Sequence, residues 1–188
     1  MKKIRLAAIA LALISVLSSC GNFGKQPATA EGFSNIEREI KDQFGDNAYF
    51  TDLTIIHVES LGNLANVTVT DDPGSLKMGE WSQVNGAWKQ SSEVTLELPE
   101  GTKAEDFMYQ LDDEINLRKM GELVEKSKAH LMTEKKLDNA VLSLASIKYP
   151  DNGDRSKAEY HISLEPENGG TSFSFFYSLK GELRKMDY

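Results

Sequence analysis

The residues Ala158-Glu159-Tyr160-His161-Ile162-Ser163-Leu164 and, after a polar gap, Phe173-Ser174-Phe175-Phe176-Tyr177-Ser178-Leu179 decide the fold of this chain. In the first stretch Ala158, Tyr160, Ile162 and Leu164 occupy every second position, and in the second Phe173, Phe175, Tyr177 and Leu179 do the same. A period of two belongs to a strand with one buried face; a helix would repeat at three or four. A turn at Lys180-Gly181 leads into a last strand ending at Tyr188. Phe176 breaks the alternation, so its side chain is expected on the opposite face. A large aromatic placed there is either covered or offered to a partner, which makes Phe176 the candidate residue of a binding surface.

Working outward, residues 140–149 read as another strand. Earlier, Ala65, Val67 and Val69 alternate with Asn66, Thr68 and Thr70 before a turn at Asp71-Asp72-Pro73-Gly74. Val84-Asn85-Gly86-Ala87 carries an Asn-Gly pair suited to a two-residue hairpin turn, which sets Val84 opposite Ala87 and Gln83 opposite Trp88. Trp81 and Trp88 then share a face, continued by Val94, Leu96 and Leu98 unless a bulge intervenes where Gln90 and Ser92 interrupt the pattern. Two stretches have helical spacing. Ser34-Asn35-Ile36-Glu37 reads as a capping box ahead of a stripe through Phe33, Ile36, Ile40 and Phe44, with Gly45 at the end. Thr102-Lys103-Ala104-Glu105 reads as a second box, opening a helical stretch over 103–134 with a break near Asp112-Asp113. The expected class is α+β, an antiparallel sheet packed against helices.

The order of elements repeats. Asp46-Asn47-Ala48 matches Asp138-Asn139-Ala140, Asp72-Pro73 matches Glu165-Pro166, and Gly86 matches Gly181, at offsets of 92, 93 and 95 residues. This predicts a duplicated helix-plus-four-strand unit, with repeat 1 over 33–100 and repeat 2 over 101–188. The strand Tyr160-His161-Ile162-Ser163-Leu164, the strand Phe175-Phe176-Tyr177 and the hairpin Gly181-Glu182-Leu183 resemble a tandem of PepSY-like units, modules also seen in β-lactamase-inhibitor-like proteins. The resemblance implies a secreted binding or inhibitory module with no inherited active site.

The beginning of the chain bears on location. Lys2, Lys3 and Arg5 precede an apolar run from Leu6 to Leu17, which is shorter than the roughly 20 residues of a membrane span. Leu17-Ser18-Ser19-Cys20 follows, and Cys20 is the single cysteine. The quartet resembles the lipobox of bacterial lipoproteins. Residues 1–19 are therefore expected to be a signal peptide, and Cys20 the lipidated (palmitate-bearing) N-terminus. Residues 20–32 are expected to form a flexible tether reaching at most about 40 Å. Gly21, where an aspartate would favour inner-membrane retention, directs the expectation to the outer membrane, on its periplasmic or cell-surface side. Loss of residues 1–19 takes the 21 basic residues to 18 against 29 acidic, and the formal charge from −8 to −11. That balance argues against nucleic acid and against electrostatic adhesion to anionic lipid, leaving the acyl chains as the membrane link.

Chemistry is sparse in the sequence. His57, His130 and His161 are isolated and share no metal-ligand spacing, and Asp151-Asn152-Gly153-Asp154 has its glycine misplaced for a calcium loop. Nucleophile elbow, phosphate loop and HExxH are all missing, so no catalytic residue, metal or cofactor is assigned. The expected function is an outer-membrane-anchored, non-catalytic binding or inhibitory module for a protein or envelope component. The rival is an envelope hydrolase acting on glycan or peptide through a carboxylate pair, which is set by space and not by spacing.

Overall fold

Turn chemistry and strand period together produce one eight-stranded antiparallel sheet. A computed structural model describes residues 23–84 and 86–188. The strands are β1 (Tyr49–Val58), β2 (Gly62–Thr70), β3 (Lys77–Val84), β4 (Ala87–Thr95), β5 (Ala140–Lys148), β6 (Glu159–Pro166), β7 (Phe173–Ser178) and β8 (Leu183–Asp187). They lie in the order β4-β3-β2-β1-β5-β6-β7-β8. Two meanders thus meet back to back along β1 and β5, where Leu53 pairs with Ile147 and Ile55 with Ala145. The helices α1 (Ala30–Phe44) and α2 (Leu117–Lys135) cover one face. Phe33, Ile36 and Ile40 of α1 and Met120, Val124 and Leu131 of α2 join Leu53, Ile55, Tyr160, Ile162 and Phe175 in one core spanning both meanders. Each such side chain contributes about 1.5–3 kcal/mol by leaving water.

The alternations behave as read. Ala158, Tyr160, Ile162 and Leu164 are buried, as are Ala65, Val67 and Val69. The β3–β4 hairpin has the expected register, Val84 to Ala87 and Gln83 to Trp88, and Gly86 sits at φ 81°. A bulge does intervene in β4. Trp81 pairs with Gln90 but Glu80 pairs with Ser92, so Ser91 is extra. Its hydroxyl donates to Glu80 O at 3.1 Å. The inserted residue reverses the faces beyond it, and Val94, Leu96 and Leu98 pack instead with Met78, Ala104 and Met108 on the far side of the sheet.

Both capping boxes are corrected. The first helix starts at Ala30, capped by the Thr29 hydroxyl, which accepts from Gly32 N at 3.3 Å. Ser34 lies inside the helix and donates back to Ala30 O at 2.9 Å. Glu37 serves a different helix: its Oε2 accepts from Leu117 N at 2.7 Å, at the start of α2. Part of the expected tether belongs to the fold as well, since Gln26 O accepts from Asn63 Nδ2 at 2.7 Å and residues 30–32 are helical. The second box makes only a short 3-10 turn, Ala104–Phe107, without a side-chain cap. Thr102 donates to Pro99 O instead. Tyr109 is drawn into the sheet, exchanging backbone hydrogen bonds with Phe50 at 2.8 and 2.9 Å, so residues 108–116 are not helical. The long helix begins only after Asn116, whose side chain accepts from Lys119 N at 2.8 Å.

Candidate functional site

The face of the sheet opposite the helices carries the small Met78–Ala104–Met108 cluster at one side and, beside it, a row of mostly polar side chains. Following the register from edge to edge gives one row: Lys89, Ser82, Asn66, Thr54, Ser146, His161, Phe176 and Lys185, each opposite the next. The row is about 34 Å long at ordinary strand spacing. It carries a lysine at each end and no carboxylate, in a chain whose formal charge is −8. Ser82 donates to Asn66 Oδ1 at 2.8 Å.

Phe176 is on this face, as its break in the alternation implied. It is half-buried, because its two ring faces are already occupied. His161 stacks on it with centroids 4.5 Å apart and planes within 3°. Lys185 Nζ stands 5.6 Å from its centroid. A partner would therefore meet the edge of Phe176 and not its face. Both His161 ring nitrogens and the hydroxyl of neighbouring Ser146 are buried without a hydrogen-bond partner. Burial, helped by the nearby Lys148 charge, holds the His161 pKa below its ordinary value. On the flanking row, Asp52 is pushed up by burial, against the pull of Lys148 and of the Thr54 hydroxyl.

A cleft of about 840 Å³ lies between the start of α2 and the β7–β8 turn. Five cations, Arg118, Lys119, Arg155, Lys180 and Arg184, line it together with Asp113, Glu114, Glu122 and Glu182. Most of these charges are spent on one another. Arg155 holds Glu114 at 3.0 Å and Asp112 at 2.8 Å, and Glu122 accepts from Lys119 at 3.3 Å. Burial alone would raise the Asp112 carboxyl, but the Ile115 and Glu114 amides and Arg155 outweigh it, and its pKa lies below the usual range. Arg184 donates to Ser156 O at 3.0 Å, tying β8 to the loop before β6.

The other sequence candidates stay apart. His57 bonds Asn63 at 3.0 Å, and His130 meets Phe175 edge-on with centroids 5.7 Å apart. Among the described residues no three metal-ligating side chains gather in one place, and no helix is long and apolar enough to cross a membrane. Cys20 and residues 1–19 lie outside the described residues. The row across the sheet had no signature in the sequence, because it exists only once eight strands are in register. Comparison of the chain with family models, with curated proteins and with solved structures finds no match in any of the three.

Proposed function

We propose that this chain is an outer-membrane lipoprotein, acylated on Cys20 after removal of residues 1–19, facing the periplasm or the cell surface. Its body is a non-catalytic binding or inhibitory module for a protein or another envelope component. The observation that carries this reading is the sheet face away from the helices, covered beside β3 and β4 by the Met78–Ala104–Met108 cluster, with its carboxylate-free row from Lys89 to Lys185 and Phe176 within it. A rigid sheet displaying alternating side chains suits recognition, whereas the ion-paired carboxylates of the α2 cleft are poorly placed for acid–base work. The reading includes duplication of a helix-plus-four-strand unit. Its support is that the bulge residues recur at nearly the offset of the sequence landmarks: Thr51 and Ser143 (143 − 51 = 92), then Ser91 and Arg184 (184 − 91 = 93).

The test is recovery of a partner from the cognate envelope with the lipidated protein as bait. Phe176→Ser and Lys89→Glu are expected to lose that partner, while Glu182→Gln in the cleft keeps it. Loss through Glu182→Gln with both face variants unaffected would move the site to the cleft and favour the hydrolase.

A further inference from the structure

The described chain begins packed against one end of the sheet. Gly24 lies so close to Gly62 that a Cβ on Gly62 would fall 1.9 Å from Gly24 O, and Gly62 opens β2 just after the β1–β2 turn. Strands alternate in direction, so the same end carries the β3–β4 turn, the β6–β7 connection, the last turn of α2 and Tyr188. Among the described residues five large hydrophobic side chains stand well exposed, and four are at this end: Leu61 (46%), Val84 (42%), Met132 (56%) and Tyr188 (76%). The fifth, Leu183, opens β8 at the opposite end.

An apolar side chain exposed singly is ordinary. Four gathered at the end where the chain comes in are a pattern, and their spacing says what fits them. They do not form one patch but are strung along an end about 34 Å wide at ordinary strand spacing. A flat surface meets such points together. Chain length adds a second constraint: Cys20 is four residues from Gly24, at most about 14 Å of extended backbone. Lys25, Lys135 and Lys136 at this end are offset by Glu59, Asp138 and Glu167, so anionic lipid is not required.

We propose that this end rests on a lipid bilayer, with Leu61, Val84, Met132 and Tyr188 in its interfacial layer. The α2 cleft then points away from the membrane. The proposal rests on the lipoprotein reading of Cys20. Because acylation occupies the only native thiol, a new cysteine is a unique labelling site. Full-length protein acylated in the cell is prepared as Leu61→Cys, Tyr188→Cys, Leu183→Cys and Ser75→Cys. Each is labelled with an environment-sensitive fluorophore and reconstituted in phosphatidylcholine vesicles carrying a nitroxide lipid. Quenching is expected to be severalfold stronger at positions 61 and 188 than at 183 and 75, and unchanged when phosphatidylglycerol replaces part of the phosphatidylcholine. Equal quenching at all four positions, or stronger quenching at 183 and 75, in protein that carries palmitate and floats with the vesicles overturns the proposal alone. Protein that takes up no palmitate and does not float overturns the lipoprotein reading, and this proposal with it.

Discussion

In the first meander the open row holds Thr54, Asn66, Ser82 and Lys89; in the second the corresponding strands hold Ser146, His161, Phe176 and Lys185. The lysines at the edges match, and the inner positions do not. One side is small and polar, the other a stacked aromatic pair. The helix-covered face differs in the same sense. Trp81 is half-buried and held through Phe44, with ring centroids 5.5 Å apart, and buried Gln83 leaves its Oε1 without a partner. Phe175 and Tyr177 are fully buried below α2, where the Tyr177 hydroxyl bonds Ser127 at 2.8 Å. Two meanders of the same architecture can thus carry unequal shares of the packing. The second packs its aromatics fully under α2, and the outer hairpin of the first is held by Phe44 against Trp81 and Trp88 on one face and by the Met78–Ala104–Met108 cluster on the other.

Core truncation breaks this comparison most directly. Phe175→Ala is expected to cost about 3–5 kcal/mol and Trp81→Ala about 2–3 kcal/mol, since part of that indole is in water already. Urea melts give both values, and equal losses would mean that the meanders are equally anchored. On the open face, Phe176→Ser is expected to lower stability by about 1–2 kcal/mol through loss of the His161 stack and the Lys185 contact. Ser82→Ala, its counterpart, should change the melt by less than about 0.5 kcal/mol.

The turns sharpen the comparison at a smaller scale. Gly86 and Gly181 sit at φ 81° and 82°. Valine at either position should cost about 1 kcal/mol in backbone strain. Gly181→Val should cost the more, because a Cβ there would lie 3.1 Å from Lys119 Cε. Matching melts for the two variants would show that the β7–β8 turn is free of α2.

The smallest effect is a pH dependence. His161 has a lowered pKa in the folded chain because of burial and Lys148. The unfolded chain therefore takes up its proton first as pH falls through about 6.5. Stability is highest above that value, declines as pH drops from there to the folded-state pKa, and then levels. His161→Gln should flatten that part of the midpoint-against-pH curve, whereas Asn66→Gln should leave it in place.

The sequence carries its strands more openly than its helices. Period-two runs such as Tyr160 to Leu164 need only a buried face, and Asn85-Gly86 fixes its hairpin through local backbone preference. Helix starts are hidden where side chains have distant uses. Glu37 looks like part of its own helix's cap but reaches Leu117, 80 residues away. Residues 108–116 have helical spacing at Leu111 and Ile115, yet Tyr109 pairs with Phe50 and the Asp112 carboxylate, accepting from Glu114 N and Ile115 N, bends the chain after it. Ser91 could be suspected as a bulge from the interruption at Gln90 and Ser92. The bulges at Thr51, Ser143 and Arg184 have no local signal, and the last of them sets Lys185 opposite Phe176 in the row across the open face.

The seam between β1 and β5 sets the order of assembly. Every other strand pair is formed by neighbours in sequence, but Leu53 and Ile147 are 94 residues apart. Closing that loop costs about 2 kcal/mol more entropy than closing a hairpin of a dozen residues. Each meander can therefore gather from local contacts, and the seam is expected to join last. Until it does, Tyr49–Val58 and Ala140–Lys148 each present an unpaired backbone edge rich in β-branched and apolar residues. A newly made chain is most prone to pair with a second copy during that interval, and the time taken to close the seam limits its exposure to aggregation.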